Sequence, residues 1–373
     1  MNIRLRCFYY LTKRLGMKII KKAVACLAVC GSIFLSSAEA EIIGISFPNY
    51  AKNSWLIQGQ FLQNYLEEDG YGVSFMLADN VRNQKSDIRA MIDSGCDVLV
   101  VAAIEDKALS EVLTEAKKKN ITVIAYDKLI MNSDAVDYYV TFDHYSEGVK
   151  RAQYLVDKFN LNERKGRLNV EFFSGALSDN VARDIYNGEM SVLDPYFESG
   201  ILGCLSFETD FEQTTARHWN STAAQRRLRH VISLSQYQRR SKNKKLDIII
   251  SSGNEIPGVL VKTLTREYGY KKKDLPFITG QDCSEDSFSQ IQQGQLPMCV
   301  FKDPQTLAYM TKVVVDRIYN KGFVTFPENS SYFNGVDDIP TYVLPVSVVD
   351  SSNVEKYVTA VQEEKKDLSF IRL

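Results

Sequence analysis

Histidine and tryptophan are scarce in this chain of 373 residues, at three and two, and His144, His218 and His230 share no metal-gripping spacing. No C-x-x-C, H-E-x-x-H or G-x-S-x-G occurs, nor a P-loop, nor a G-x-G-x-x-G after a strand-like run. These absences remove zinc-ribbon and dithiol redox centres, zinc peptidases, serine hydrolases and the usual nucleotide-binding loops. Neither a metal nor a cofactor is expected. No apolar run in the body of the chain approaches the roughly 20 residues that a membrane-spanning helix needs. The composition, 45% hydrophobic and 24% charged with 11% aromatics, is that of a packed globular protein.

Cysteine is nearly as informative by its sparseness. Cys7, Cys26 and Cys30 fall within the first 40 residues, leaving Cys96, Cys204, Cys283 and Cys299 widely spaced beside apolar runs. Those four read as small buried hydrophobes, with a disulfide as the alternative in an oxidising compartment.

The N-terminus is where something distinctive is present. From Met17 the chain reads "MKIIKKAVACLAVCGSIFLSSAEA", a lysine cluster, then an apolar stretch, then Ala38-Glu39-Ala40. That order predicts a secretory signal peptide over residues 1–40, removed to give a mature N-terminus at Glu41. Met17 competes with Met1 as the start, and lipoprotein processing at Cys30 is the rival to simple cleavage. Residues 1–40 hold seven of the 45 Lys and Arg and one of the 46 Asp and Glu, so the remainder carries 38 against 45, a formal charge of −7. An acidic exported protein is a poor partner for nucleic acid or an anionic membrane. The basic stretch 226–245 accordingly reads as a solvated helix face and a loop.

After the leader, short apolar β-rich runs alternate with amphipathic helical patterns. "EIIGISF", "YGVSFMLA", "CDVLVVAA" and "ITVIAYD" form a first series, and "LNVEFFSG", "ILGCLSF", "LDIIISS" and "LPFITGQD" a second. Such alternation predicts βαβ units on parallel sheets, and two series predict two doubly wound domains. Gly70, Gly95 and Asn120 stand where successive helices should stop. One further helix, "TLAYMTKVVVDRIYNKG", is too little for a third domain, so the chain is expected to cross back to complete the first.

Ligands of open α/β sheets bind beyond the carboxyl ends of the strands. Polar residues recur there: Asp127 after "VIAY", Asp143 after "VTF", Asn180 beyond "EFFSG", Asn254 after "IIISSG", Asp282 after "FITGQ" and Lys302 after "MCVF". Any one of these acids alone reads as a helix N-cap, whereas six together predict one cleft between two domains. Carboxylates and amides suit the hydroxyls of a sugar. Trp55 and Trp219 would stack on the C–H face of a pyranose, or else pack in the core.

The stretches "SDIRAMIDSGCDVLVVAAIEDKALSEVLTEAKKKNITVIAYDKLI", "YYVTFDHYSEGV", "GEMSVLDPYFESG", "TGQD" and "VFKDPQTLA" carry a family likeness. Nearly end to end, the mature chain resembles the periplasmic monosaccharide-binding proteins, the type I solute receptors of sugar ABC importers. Among these it is most similar to the multiple-sugar-binding and xylose-binding receptors. The resemblance implies an α/β fold of two Rossmann-like lobes with parallel sheets, joined by a three-segment hinge and closing on an aldose. It divides the chain into an N-terminal lobe of 41–143 plus 303–333 and a C-terminal lobe of 144–302 plus 334–373.

Carried over residue by residue, the resemblance makes Asp127 a ligand of the family's Tyr-Asp-Arg motif, with Lys128 in place of the arginine. Asp179 and Asn180 match the family's Asp-Asn-Asn, with Val181 replacing the last amide. Trp219 falls at the stacking tryptophan, and Asp282 and Lys302 match fully. Asn254 stands where the family has aspartate, and Ser54, beside Trp55, where it carries a sugar-binding arginine. Two guanidinium forks are therefore missing. The implied role is non-catalytic: a monomeric periplasmic receptor passing a monosaccharide to an ABC permease, or reporting it to a sensor kinase or chemoreceptor in chemotaxis. The competing reading is an effector-binding sensor domain with a non-sugar small ligand. It would require an N-terminal helix-turn-helix where this chain has an apolar leader. A secreted enzyme is the third reading, and incubation with sugars separates it by any product.

Overall fold

The computed structural model describes residues 41–49, 54–215, 220–241, 243–253, 255–320, 326 and 330–359. The leader with Cys30, Trp219 and Asn254 lie outside the described residues. The first series runs β1 (Ile42–Pro48), α1 (Ser54–Glu68), β2 (Gly72–Ala78), α2 (Val81–Asp93), β3 (Val98–Val101), α3 (Ser110–Lys118), β4 (Thr122–Tyr126) and β5 (Tyr138–Phe142). Asn80 opens α2 by accepting from the Asn83 N–H at 3.0 Å. The helical stretches end in left-handed residues: Gly70 at φ 90°, Gly95 at φ 84° and Asn120 at φ 58°.

The second series is α4 (His144–Lys158), β6 (Leu168–Phe173), α5 (Asn180–Glu198), β7 (Leu202–Gly203), α6 (Phe211–Thr214), α7 (Ser221–Ser235), β8 (Ile248–Ser251), α8 (Ile256–Arg266), β9 (Phe277–Ile278), α9 (Glu285–Gln292) and β10 (Met298–Phe301). The chain then returns through α10 (Pro304–Tyr319), β11 (Ser331–Phe333) and β12 (Asp338–Leu344), and crosses again into β13 (Ser347–Asp350).

One seven-stranded sheet has the order β11-β12-β5-β4-β3-β1-β2, parallel except for the β11–β12 pair. A four-stranded parallel sheet, β7-β6-β8-β9, carries the second series, and β10 pairs antiparallel with β13. The Gly280 N–H donates to the Met298 carbonyl at 3.0 Å, joining the end of β9 to β10. Burial on both faces explains the unbroken apolar strands: β3 is buried at all four positions. Helix α10 contributes Leu307, Ala308, Val314 and Val315 to the core around Ile43, Ile45, Phe47 and Leu62, completing the first lobe.

Two expectations are corrected here. The resemblance assigns the segment from residue 334 to the C-terminal lobe, but β12 pairs in parallel with β5, Thr341 opposite Tyr139 through Leu344 opposite Phe142. The apolar tail "IPTYVLPVSVVD" is two strands, and the crossing falls between Leu344 and Ser347. The reading of all four cysteines as lone hydrophobes also fails, because Cys283 and Cys299 form a disulfide, leaving Cys96 and Cys204 free and buried.

The three crossings lie together, the second reaching the first through Lys302 Nζ and Glu147 at 3.2 Å. The Asp143 N–H donates to the Leu344 carbonyl at 2.9 Å, and Lys150 Nζ donates to the Val346 carbonyl at 2.7 Å. Helices α4 and α5 meet backbone to backbone. A Cβ on Gly148 would lie 2.0 Å from the Ile185 carbonyl oxygen, and one on Gly188 would lie 2.1 Å from that of Tyr145. The close approach lets the fully buried Arg151 reach Glu189 at 2.5 Å and the Ser251 carbonyl at 3.1 Å. In the basic stretch, Arg227 pairs with Glu208 at 2.6 Å and Arg229 with Glu267 at 2.8 Å.

Candidate functional site

Two aspartates leave their strands in the same unusual way. Asp127, after β4, has φ 58°, and Asp282, after β9, has φ 48°. The left-handed region is uncommon for residues other than glycine, and aspartate is among those that tolerate it. Neighbouring contacts hold the first turn. The Asp127 N–H donates to the Val140 carbonyl at 2.8 Å, and its own carbonyl accepts from Tyr139 Oη at 2.9 Å and Thr141 Oγ1 at 3.1 Å.

Between the two carboxylates runs a chain of alternating charge. His144 Nε2 lies 3.3 Å from Asp127 Oδ1, and His144 Nδ1 lies 3.5 Å from Glu147 Oε2. Lys302 Nζ lies 3.2 Å from the same Glu147 oxygen and 2.6 Å from Asp282 Oδ1. The inner members are enclosed, with Glu147 0% and His144 3% exposed, whereas the terminal Asp127 and Asp282 side chains are 15% and 36% exposed. The ends of the chain are therefore less enclosed than its middle.

The ionisation follows from these contacts. Burial opposes the charge on His144, but hydrogen bonds to Asp127 and Glu147 outweigh it and raise its pKa to about 9. Burial likewise opposes the Glu147 carboxylate, yet Lys302, His144 and Arg151 lower it to about 2. Asp127 is held below the usual carboxylate range, since His144, Lys302 and Lys128 together overcome its burial. Lys302, despite burial, is held above the ordinary lysine range by Asp282, Glu147 and Asp127. An imidazolium clamped between two carboxylates has no free lone pair. Its Nε2 faces Asp127.

A second ion pair spans the cleft. Lys128 Nζ meets Asp179 Oδ2 at 2.6 Å, with side-chain exposures of only 9% and 3%. The other oxygen of Asp179 accepts from the Val181 N–H at 3.1 Å, which makes Asp179 the N-cap of α5. Asn180 Nδ2 reaches across to the Leu129 carbonyl at 2.8 Å. Trp55 forms part of the wall: Lys128 Nζ stands 6.0 Å from its ring centre, and Phe47 and Tyr126 meet it edge-on at 5.7 and 6.5 Å. Ser54 opens α1, and its hydroxyl accepts from Gln58 Nε2 at 3.4 Å. The loop after β3 and the start of α5 bound a cavity of about 540 Å³. Asp106, Met131, Asp179 and Asn180 are among the residues lining it.

Asp127, Lys128, Asp179, Asn180, Asp282 and Lys302 thus converge, with Ser54 and Trp55 at the flank. Asp143 does not join them; it caps α4 by accepting from the Ser146 N–H at 2.8 Å. Sequence reasoning missed His144 and Glu147. A signal existed in "HYSEGVKR": a histidine, an acid and an arginine spaced i, i+3, i+7 lie on one helix face, and in this chain that face is buried.

Comparison with known proteins adds an independent line. Residues 43–321 match the family model described as a periplasmic binding protein domain. A multiple sugar-binding periplasmic receptor of Rhizobium radiobacter is 34% identical over 345 residues, covering 91% of this chain and 96% of its own. A multiple sugar-binding periplasmic protein of Azospirillum brasilense is 34% identical over 313 residues, covering 83% of this chain and 86% of its own. The crystal structure of an ABC transporter solute-binding protein from Clostridium phytofermentans with bound β-D-glucose is 37% identical, with a TM-score of 0.79, and covers 85% of this chain and 96% of its own.

Proposed function

Since the chain belongs to the periplasmic binding protein domain family, we propose that it is an exported, non-catalytic receptor that captures one aldose between its lobes. The observation that carries this reading is the pair of left-handed aspartates, one on each lobe, whose partly exposed side chains are braced by His144 and Lys302. A carboxylate accepts from two sugar hydroxyls at once, Lys128 and Lys302 donate to ring or hydroxyl oxygens, and Trp55 offers an apolar wall. Trp219 and Asn254 are proposed to complete the shell.

The closing bodies are residues 41–143 with 303–344 against 144–302 with 345–359, pivoting where the three crossings meet. The closed form is presented to an ABC permease, or to a sensor kinase or chemoreceptor. The protein acts in the periplasm after cleavage before Glu41, a lipid anchor at Cys30 being the alternative. Ser54 and Lys128 replace the two planar guanidinium forks of the resembling receptors, so recognition depends on carboxylates and ammonium groups.

Native mass spectrometry of the purified protein tests the ligand class, since a retained monosaccharide reports its own mass. With a binding aldose, scattering should give a smaller radius of gyration. Stability should rise by about 2.7 kcal/mol at a hundredfold excess over Kd. Conversion of the sugar to product would refute a receptor. Asp282→Ala should weaken binding by roughly ten- to a hundredfold, because hydrogen bonds to charged groups contribute about 1.5–3 kcal/mol and about 1.4 kcal/mol is tenfold. Calorimetry giving an unchanged Kd would remove Asp282 from the site.

A further inference from the structure

Glu147 is fully buried, and its carboxylate meets His144 and Lys302, not the surface. It sits on the first turn of α4, immediately after the first crossing, and pairs with Lys302, which begins the second. We infer that Glu147 is a positioning residue for ligand recognition: by holding His144 and Lys302 together it aims Asp127 and Asp282, the two carboxylates that grip the ligand. This rests on the sugar-binding reading above.

The physical need is clear from what Glu147 separates. Lys302 by itself disfavours a charged His144, since the two cations repel. One carboxylate within 3.5 Å of both converts that repulsion into two attractions. Other charges surround the pair on every packed element. Arg151 shares α4 with it; Glu189 and Asp184 approach from α5; Asp127 and Asp282 stand at the ends of β4 and β9. Glu189 is already engaged by Arg151 at 2.5 Å, so it cannot take over. Without Glu147, His144 keeps Asp127 but faces Lys302 unshielded, and its proton becomes easy to lose near neutrality. Neutral His144 then orients Asp127 less firmly, while Lys302 is left to Asp282 alone.

Glu147→Gln keeps the shape and removes the charge. With D-glucose as the probe, wild-type affinity should be level from pH 5.5 to 8. The variant should bind within a few-fold of wild type at pH 5.5 and roughly ten- to a hundredfold more weakly at pH 8. In ligand-free protein, the His144 imidazole resonance, assigned by its loss in His144→Asn, should titrate near neutrality in Glu147→Gln and near pH 9 in wild type. Glu147→Asp, which restores the charge, should recover most of the affinity and guards against a variant that fails to fold. Equal affinity for Glu147→Gln and wild type at pH 8, or a His144 titration unmoved by the substitution, would overturn the inference. If wild-type protein binds no glucose, the choice of probe or the sugar reading fails, and the His144 titration still decides the role of Glu147.

Discussion

Replacing Arg151 with methionine should lower the unfolding free energy by about 3–5 kcal/mol, because it strands a buried charge. Arg151 is among the largest fully buried side chains, and its guanidinium reaches Glu189 on α5 at 2.5 Å and the Ser251 carbonyl at 3.1 Å. Glu189 is itself almost wholly enclosed, and burial already raises its pKa even with Arg151 present. Deprived of its partner, it must take up a proton or remain an uncompensated anion. Nor can the two helices relax around the gap, since Gly148 and Gly188 already hold them in backbone contact. The informative control is Arg151→Met/Glu189→Met. Apolar replacement of a whole buried pair is often neutral or stabilising, so the double variant should regain most of the loss. Chemical denaturation of wild type, both singles and the double variant measures the cycle. A single variant within about 1 kcal/mol of wild type would mean that the pair contributes little.

The same helix pair shows where sequence reading stops. The strands were legible because parallel sheets buried on both faces demand largely apolar runs, as β1, β3 and β4 are, although β6 also buries Asn169 and Glu171. The helix ends were legible because a left-handed residue must follow, and Gly70, Gly95 and Asn120 supply it. Strand partnership was not. "IPTYVLPVSVVD" is mostly apolar along its length, and nothing local tells that β12 pairs with β5 while β13 pairs with β10. Only the folded sheets decide this, since β12 lies beside β5 in the seven-stranded sheet and β13 beside β10.

The site divides in the same way. Asp127, Asp282 and Lys302 stand at strand ends, where chemistry is expected from topology alone. Their bracing residues do not. His144 and Glu147 lie inside a helix whose exposed-looking pattern of charge becomes buried only when β10 and α5 close over it. A sequence records which residues are polar. It does not record which of them will be surrounded by other charges.

The disulfide illustrates this most concretely, and its removal should have the second largest effect. Cys283 follows Asp282 directly, and Cys299 stands three residues before Lys302, so the bridge ties together the two chain segments that carry one end of the charge network. It closes a separation of 16 residues containing α9. A cross-link acts chiefly by restricting the unfolded chain, and loop-closure entropy for about 15 residues corresponds to roughly 3 kcal/mol. Cys283→Ala/Cys299→Ala should therefore unfold about 3 kcal/mol more easily, and reductant should lower the stability of wild type while leaving the variant unchanged. Stability is not the whole expected consequence. Asp282 already holds a left-handed backbone, φ 48°, immediately before the bridge. Freed from it, that turn can relax towards ordinary φ values and carry the carboxylate away from Lys302 Nζ. Affinity for the sugar should then fall by several-fold even well below the melting temperature. Calorimetry at low temperature, with folding checked by circular dichroism, separates the two effects. If affinity is unchanged while stability drops, the bridge is a staple for α9 only, and the turn at Asp282 is held by its hydrogen bonds and ion pair alone.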